Sequence, residues 1–172
     1  NKPQRIAENV ALLDHLTDNR FEFGTGRGSS STEVLGFDIP SVDMTKAMWR
    51  ETIREIPKMW KDAPYSYDGE FFRMPERKVF PKPNGPLHPA MWVAGGSPGT
   101  FTEAGELGLG VFCFSIGRPL DMEPLLKAYK SAIVNATLAA AALTLRVPTS
   151  AIGVAAAITW AAPTSPPAPT ST

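Results

Sequence analysis

The chain has a single cysteine, Cys113, and two histidines, His15 and His88, 73 positions apart. One thiol excludes an internal disulfide framework and any zinc site built on several thiolates. Two distant imidazoles give no reason to expect a metal cluster. Acidic and basic side chains number 17 each, so the basic excess that carries nucleic-acid binding is missing. Long apolar runs are missing too. The longest uncharged, proline-free stretch near the C-terminus, Thr149 to Ala162, has 14 residues. A bilayer needs about 20, so a membrane anchor is not expected. No signal-peptide pattern is visible, which makes the cytoplasm the expected address. A first residue of Asn1 rather than Met reads as a fragment or a processed product.

What is present is uneven. Forty-three per cent hydrophobic and 20 per cent charged residues over 172 positions describe one ordinary globular domain. Residues 1–137, however, hold 33 of the 34 charged side chains. Residues 138–172 hold only Arg146, with 11 Ala, 6 Thr and 5 Pro. The expected division is a folded unit over 1–137 and a poorly structured tail over 138–172.

The folded part alternates helix and strand. Ile6, Val10 and Leu13 share one helical face, predicting a helix from Pro3 to Leu16 with its proline in the first turn. Arg20–Phe23 reads as a short strand. Trp49, Ile53, Ile56 and Trp60 predict a helix from Met44 to Trp60, kinked where Pro57 removes a donor. Tyr65–Tyr67 and Glu70–Phe72 flank Asp68-Gly69, a two-residue hairpin signal. Four prolines between Pro81 and Pro89 mark an extended connection. Met91–Ala94 and Val111–Phe114 are apolar without alternation, as in strands buried on both faces. One short helix, stopped at Gly108, separates them, and another runs from about Pro119 to Ala136. This pattern predicts a parallel α/β sheet, with the two apolar strands adjacent and Arg20–Phe23 beside Met91–Ala94.

In such sheets the working loops lie at the carboxyl ends of the strands. Three qualify: Gly24–Ser31, Gly95–Thr100 and Ser115–Arg118. Glycines let backbone N–H groups approach an anion, and a following helix adds unpaired donors and a positive dipole end. Gly95-Gly96-Ser97-Pro98-Gly99 entering a helix fits phosphate chemistry, with Ser97 or Thr100 as the helix cap. Arg27, between two glycines, offers a charged fork. There is no Lys and no Walker spacing, so a P-loop is not indicated. His15 reads as a capping or packing residue and His88 as partnerless. Cys113 reads as a small buried apolar residue, and the large aromatics as core. No paired carboxylates or nucleophile–base arrangement stands out, so the catalytic residues are unassigned.

The ordered blocks resemble a known family. Arg5-Ile-Ala-Glu-Asn-Val-Ala-Leu-Leu-Asp-His-Leu16 is followed by Asn19-Arg-Phe-Glu-Phe-Gly-Thr-Gly-Arg-Gly28. Next come Tyr67-Asp-Gly-Glu-Phe-Phe72, Pro81-Lys-Pro83, Pro89-Ala-Met-Trp-Val-Ala-Gly-Gly-Ser97 and Ala104-Gly-Glu-Leu-Gly-Leu-Gly110. Together they resemble the luciferase-like flavin-dependent monooxygenases over about residues 3–136. The resemblance implies a (β/α)8 TIM barrel, here incomplete, with about three barrel strands ahead of an unrelated tail. It implies reduced FMN, or alternatively the deazaflavin F420, as cofactor. Arg27, Gly95, Gly96, Ser97 and Thr100 correspond to the residues that contact the flavin phosphate. It implies oxidation of a small organic substrate with molecular oxygen, a flavin reductase as the source of reduced flavin, and a homodimer for full-length relatives. The alternatives are an F420-dependent oxidoreductase or a non-catalytic remnant.

Overall fold

Helix α1 spans Pro3–Leu16 in the computed structural model, which describes residues 2–140 apart from 29, 38, 86 and 114–117. Its bounds match the expectation, and its buried face matches in part, with Val10 buried and Ile6 packed against the core. Pro3, Ala7, Val10, Ala11 and Asp14 are buried, whereas Leu13 is largely exposed. The small side chains on that face let α1 lie close to the following long helix, and the Trp60 indole N–H donates to the Ala7 carbonyl at 3.0 Å. Asp18 and Asn19 then take left-handed backbone, and Arg20 Nε donates to Thr17 O at the helix end. Residues 20–22 lie between this turn and the sheet, outside any strand. Strand β1 therefore comprises Phe23–Thr25 instead of Arg20–Phe23.

A short helix α2, Ser31–Gly36, follows, with Ser30 Oγ accepting from Glu33 N–H. It was not anticipated, although Ser30-Ser-Thr-Glu33 carries the capping-box spacing. Helix α3, Val42–Met59, runs through Pro57 to Met59, the Ser41 hydroxyl accepting from Asp43 N–H at its start. Ile53, Ile56, Met59 and Trp60 are buried as the periodicity requires. Its C-terminal carbonyls are met by Lys82, whose ammonium donates to Met59 O at 3.0 Å. Burial lowers the Lys82 pKa.

Strands β2, Tyr65–Asp68, and β3, Arg73–Arg77, pair antiparallel, with Asp68 opposite Arg73. The connection is thus four residues, 69–72, and Glu70–Phe72 is loop where a strand was expected. The Glu51 carboxylate of α3 accepts the N–H groups of Glu70, Phe71 and Phe72 at 3.1–3.4 Å. A distant side chain thereby satisfies donors that a tight hairpin would have turned to the partner strand.

Strands β4, Met91–Ala94, and β5, Gly110–Phe112, complete a parallel sheet of order β1-β4-β5. Phe23, Gly24 and Thr25 oppose Met91, Trp92 and Val93; Trp92, Val93 and Ala94 oppose Gly110, Val111 and Phe112. Both adjacency expectations are met. Phe114, expected to end the last strand, lies outside the described residues. Helix α4, Pro98–Leu107, joins β4 to β5 and stops at Gly108, whose φ of 69° is left-handed. A 3₁₀ turn, Pro119–Met122, leads into helix α5, Glu123–Ala140, four residues beyond the expected end. Val93 and Val111 join Ala7, Ile53, Ile56, Phe101, Ala104 and Tyr129 in one core. Buried Glu103 of α4 is paired with Arg50 of α3, which ties the two helices together. Residues 141–172, most of the expected tail, are outside the described set.

Candidate functional site

Because β1 and β4 are adjacent and parallel, the segments that follow them leave the same end of the sheet side by side. Neighbouring strands stand about 4.8 Å apart. Arg27 is two positions past Thr25, and Gly95 is two positions past Thr25's partner Val93. Thr25 locks this end: its hydroxyl donates to Trp92 O at 2.7 Å and accepts from the Trp49 indole N–H of α3 at 3.1 Å. The segments that carry Arg27 and the Gly95–Thr100 turn therefore start from adjacent strand ends. In the third expected loop, residues 115–117 are outside the described set. Arg118 is turned to local use, its guanidinium meeting Asp121 at 3.3 Å.

The donors can be counted one by one. Gly95 N–H is committed to Phe112 O at 2.9 Å, and Thr100 and Phe101 N–H to Ser97 O. Pro98 has no N–H. Among the described residues the N–H groups of Gly96, Ser97 and Gly99 have no acceptor, and all three residues are exposed. The Ser97 hydroxyl caps α4, accepting from Thr100 N–H at 3.4 Å and meeting the Thr100 hydroxyl at 3.0 Å. Of the two caps left open by the sequence, Ser97 is the one used. The first turn of α4 carries no acidic residue, so its positive end is not neutralised.

The glycines divide by what a side chain would meet. At Gly95 a Cβ would overlap the Thr100 side chain, so glycine is needed there for the turn to close. At Gly26, Gly96 and Gly99 a Cβ would meet nothing within 4 Å. No packing among the described residues requires glycine at those three positions, which leaves open space directly above free backbone donors.

Arg27 is exposed and has no ion-pair partner among the described residues. Gly28, at φ 73°, packs against the Glu33 carboxylate, the Oε2 lying 3.4 Å from where a Cβ would sit. The site thus carries one free cation, three free amides, two hydroxyls and one nearby anion. The other singled-out residues have structural partners. His15 Nε2 lies 2.8 Å from Lys82 O, as a packing residue should. His88, expected to stand alone, meets Pro89 O at 2.8 Å and the Trp60 ring at 5.2 Å. Cys113 is half-buried, its sulfur 3.6 Å from that of Met122, and burial pushes its pKa up. Among the described residues no group of three or more His, Cys, Asp or Glu is placed to hold a metal ion. No helix among them is long and apolar enough to cross a membrane.

A parallel sheet with helices packed on one face and donor-rich turns at its strand ends defines an α/β scaffold built to present loops. The chain matches the luciferase-like monooxygenase family over residues 1–161 and belongs to that family. It is 31% identical over 134 residues to the F420-dependent glucose-6-phosphate dehydrogenase of Kineococcus radiotolerans, covering 76% of this chain and 39% of that protein. It is also 31% identical over 111 residues to the oxygenase component of the flavin-dependent trigonelline monooxygenase of Acinetobacter baylyi, covering 63% and 30%. Among solved structures, the monooxygenase RslO1 of Streptomyces bottropensis superimposes with a TM-score of 0.72 at 26% identity, over 80% of this chain and 42% of that one. The chain spans about two fifths or less of the length of these relatives.

Proposed function

We propose that residues 2–140 are a three-stranded part of a (β/α)8 barrel, and that Arg27 with the Gly95–Thr100 turn holds the phosphate of FMN in a flavin-dependent monooxygenase. The observation that carries this reading is a turn with three unengaged amides under open space, leaving the sheet beside the strand that leads to Arg27. A phosphate needs several donors converging from fixed backbone, and the positive end of α4 adds to them. Gly96 and Gly99 provide the room for close approach, Gly95 closes the turn, and the Ser97 and Thr100 hydroxyls flank it. The residues fit the group.

When bound, the reduced cofactor would supply two electrons to molecular oxygen, one atom of which goes to the organic substrate and the other to water. The residues named here bind and orient it. Electrons would come from a separate flavin reductase, as the two-component character of the trigonelline enzyme suggests. The second reading, F420 in place of FMN, is favoured by the dehydrogenase relative that covers most of this chain. It uses the same phosphate donors and needs no oxygen, so oxygen uptake separates the two.

Titration of the chain with FMN and with riboflavin tests the site. Arg27→Ala removes one charged hydrogen bond, worth about 1.5–3 kcal/mol, or roughly 10- to 150-fold in affinity. FMN binding should fall by that factor and riboflavin binding should not change. Equal loss for both ligands removes Arg27 from the phosphate site.

A further inference from the structure

Two pairs in the chain place a carboxamide or carboxyl side chain one residue ahead of a glycine: Asn84-Gly85 and Asp68-Gly69. In each, the glycine nitrogen has no Cβ beside it to hinder attack on the preceding side chain. Their surroundings differ. Gly69 N–H donates to Phe72 O at 3.1 Å, and Arg73 Nε holds the Asp68 carboxylate at 2.6 Å. The Tyr67 ring and the Glu51 carboxylate crowd Gly69 so closely that a Cβ there would overlap both. Gly85, at φ 110°, is exposed, and its N–H has no acceptor among the described residues. The nearest atom to a Cβ at Gly85 is Asn19 Oδ1, 3.9 Å away, so that side is open. The half-buried Asn84 keeps its main-chain N–H on Asp14 Oδ2 at 2.9 Å, while its carboxamide has no hydrogen-bond partner among the described residues.

We propose that Asn84 is a site of spontaneous deamidation in the folded chain, through a succinimide to aspartate and isoaspartate, and that folding protects Asp68 from the equivalent reaction. The Gly85 nitrogen, on losing its proton to solvent base, attacks Asn84 Cγ. A C–N bond forms, the Cγ–Nδ2 bond breaks, and the side-chain nitrogen takes up a proton and leaves as ammonia. Water then adds to one of the two imide carbonyls. Opening at Cγ gives aspartate, and opening at the main-chain carbon gives isoaspartate, with the backbone rerouted through Cβ and Cγ. One water is consumed, and no oxidant or reductant is needed. Either product puts a carboxylate on the residue whose N–H the Asp14 carboxylate accepts, and Asp14 is 2% exposed. Like charges so placed oppose each other, and the modification loosens the point where the connection 81–89 is pinned to the end of α1. The reaction is independent of the phosphate site.

The full chain is aged folded, at neutral and at alkaline pH, and in parallel unfolded in urea. Proteolysis and mass spectrometry read deamidation as a gain of about 1 Da, and an isoaspartyl methyltransferase labels isoaspartate, including any formed from Asp68 without a change of mass. In the folded chain the mass gain should map to Asn84 ahead of every other asparagine, and the methyl label to position 84. Conversion should be faster at alkaline pH, because the attacking nitrogen must lose its proton. Folding should suppress labelling at position 68 relative to urea and leave conversion at position 84 close to its unfolded rate. Asn84→Gln, whose longer side chain would have to close a larger ring, should lose the label at 84. The amide of residue 84 should exchange faster in aged chain than in fresh chain, a readout that needs no variant. No mass gain at Asn84 in the folded chain while the unfolded chain converts would overturn the proposal. Suppression by folding as strong at position 84 as at position 68 would do the same.

Discussion

Gly105 lies in the middle of α4 where that helix crosses α5, and replacing it by alanine sets two known magnitudes against each other. A Cβ there would stand 2.7 Å from Ala132 Cβ, 2.7 Å from the Tyr129 carbonyl oxygen and 3.1 Å from Ile133 N. Two of these neighbours are α5 backbone, so no rotamer change relieves the contact and the helices must separate by several tenths of an ångström. Separation also disturbs the edge-on contact of Phe101 with Tyr129 at 6.4 Å, and the Tyr129 hydroxyl bond to Leu109 O at 2.7 Å. Alanine gains about 1 kcal/mol over glycine in a free helix. Overpacking costs about 1–3 kcal/mol, and the broken tyrosine bond adds about 1 kcal/mol. The net expectation for Gly105→Ala is a loss of about 1–3 kcal/mol, or a Tm lower by about 3–12 °C, by circular dichroism. Gly99→Ala, with nothing within 4 Å, is the control and should be neutral or slightly stabilising. If Gly105→Ala raises Tm as Gly99→Ala does, α4 and α5 are not packed as described.

Glu51→Ala removes the acceptor of three loop amides at once and should cost about 1–3 kcal/mol. Hydrogen exchange at residues 70–72 should rise well above that of the Met91–Ala94 strand, and unchanged exchange would show the carboxylate to be dispensable. The Tyr65 and Tyr129 hydroxyls are both raised above 10, chiefly by burial, Tyr65 also by its hydrogen bond to Glu55. The folded state thus holds these protons more tightly than the unfolded chain. Stability should be full below pH 10 and fall as pH rises past it, and Tyr129→Phe should make the fall shallower in urea titrations. A chain that gains stability between pH 10 and 11 contradicts this.

The order of elements was legible because each strong signal is local. Pro3 opens α1 where its missing donor costs nothing, and Met91, Val93 and Val111 are apolar because they face the helical core. What the local pattern could not show was set by distant partners. Glu51, some 20 residues away, converts Glu70–Phe72 from strand to loop. Trp60 and its neighbours select the Ala7–Ala11 face of α1 over the larger Leu13. Arg20 looked like strand because its side-chain bond to Thr17 O is invisible in a propensity pattern.

The candidate site divides the same way. Glycines after strands, an arginine between them and a helix start were readable, and the sheet register brings them side by side. That Gly95 N–H is consumed by Phe112, leaving Gly96, Ser97 and Gly99 as the free donors, depends on a neighbouring strand and could not be read in advance.

Backbone amide resonances of the isotope-labelled chain, followed while FMN and then riboflavin are added, test the phosphate site most directly. The account predicts large shifts of the Gly96, Ser97 and Gly99 amides with FMN, none of comparable size at those positions with riboflavin, and little change at Gly95, whose N–H already bonds Phe112. Phosphate-dependent shifts confined to other segments, with Gly96, Ser97 and Gly99 unmoved at saturating FMN, would contradict it.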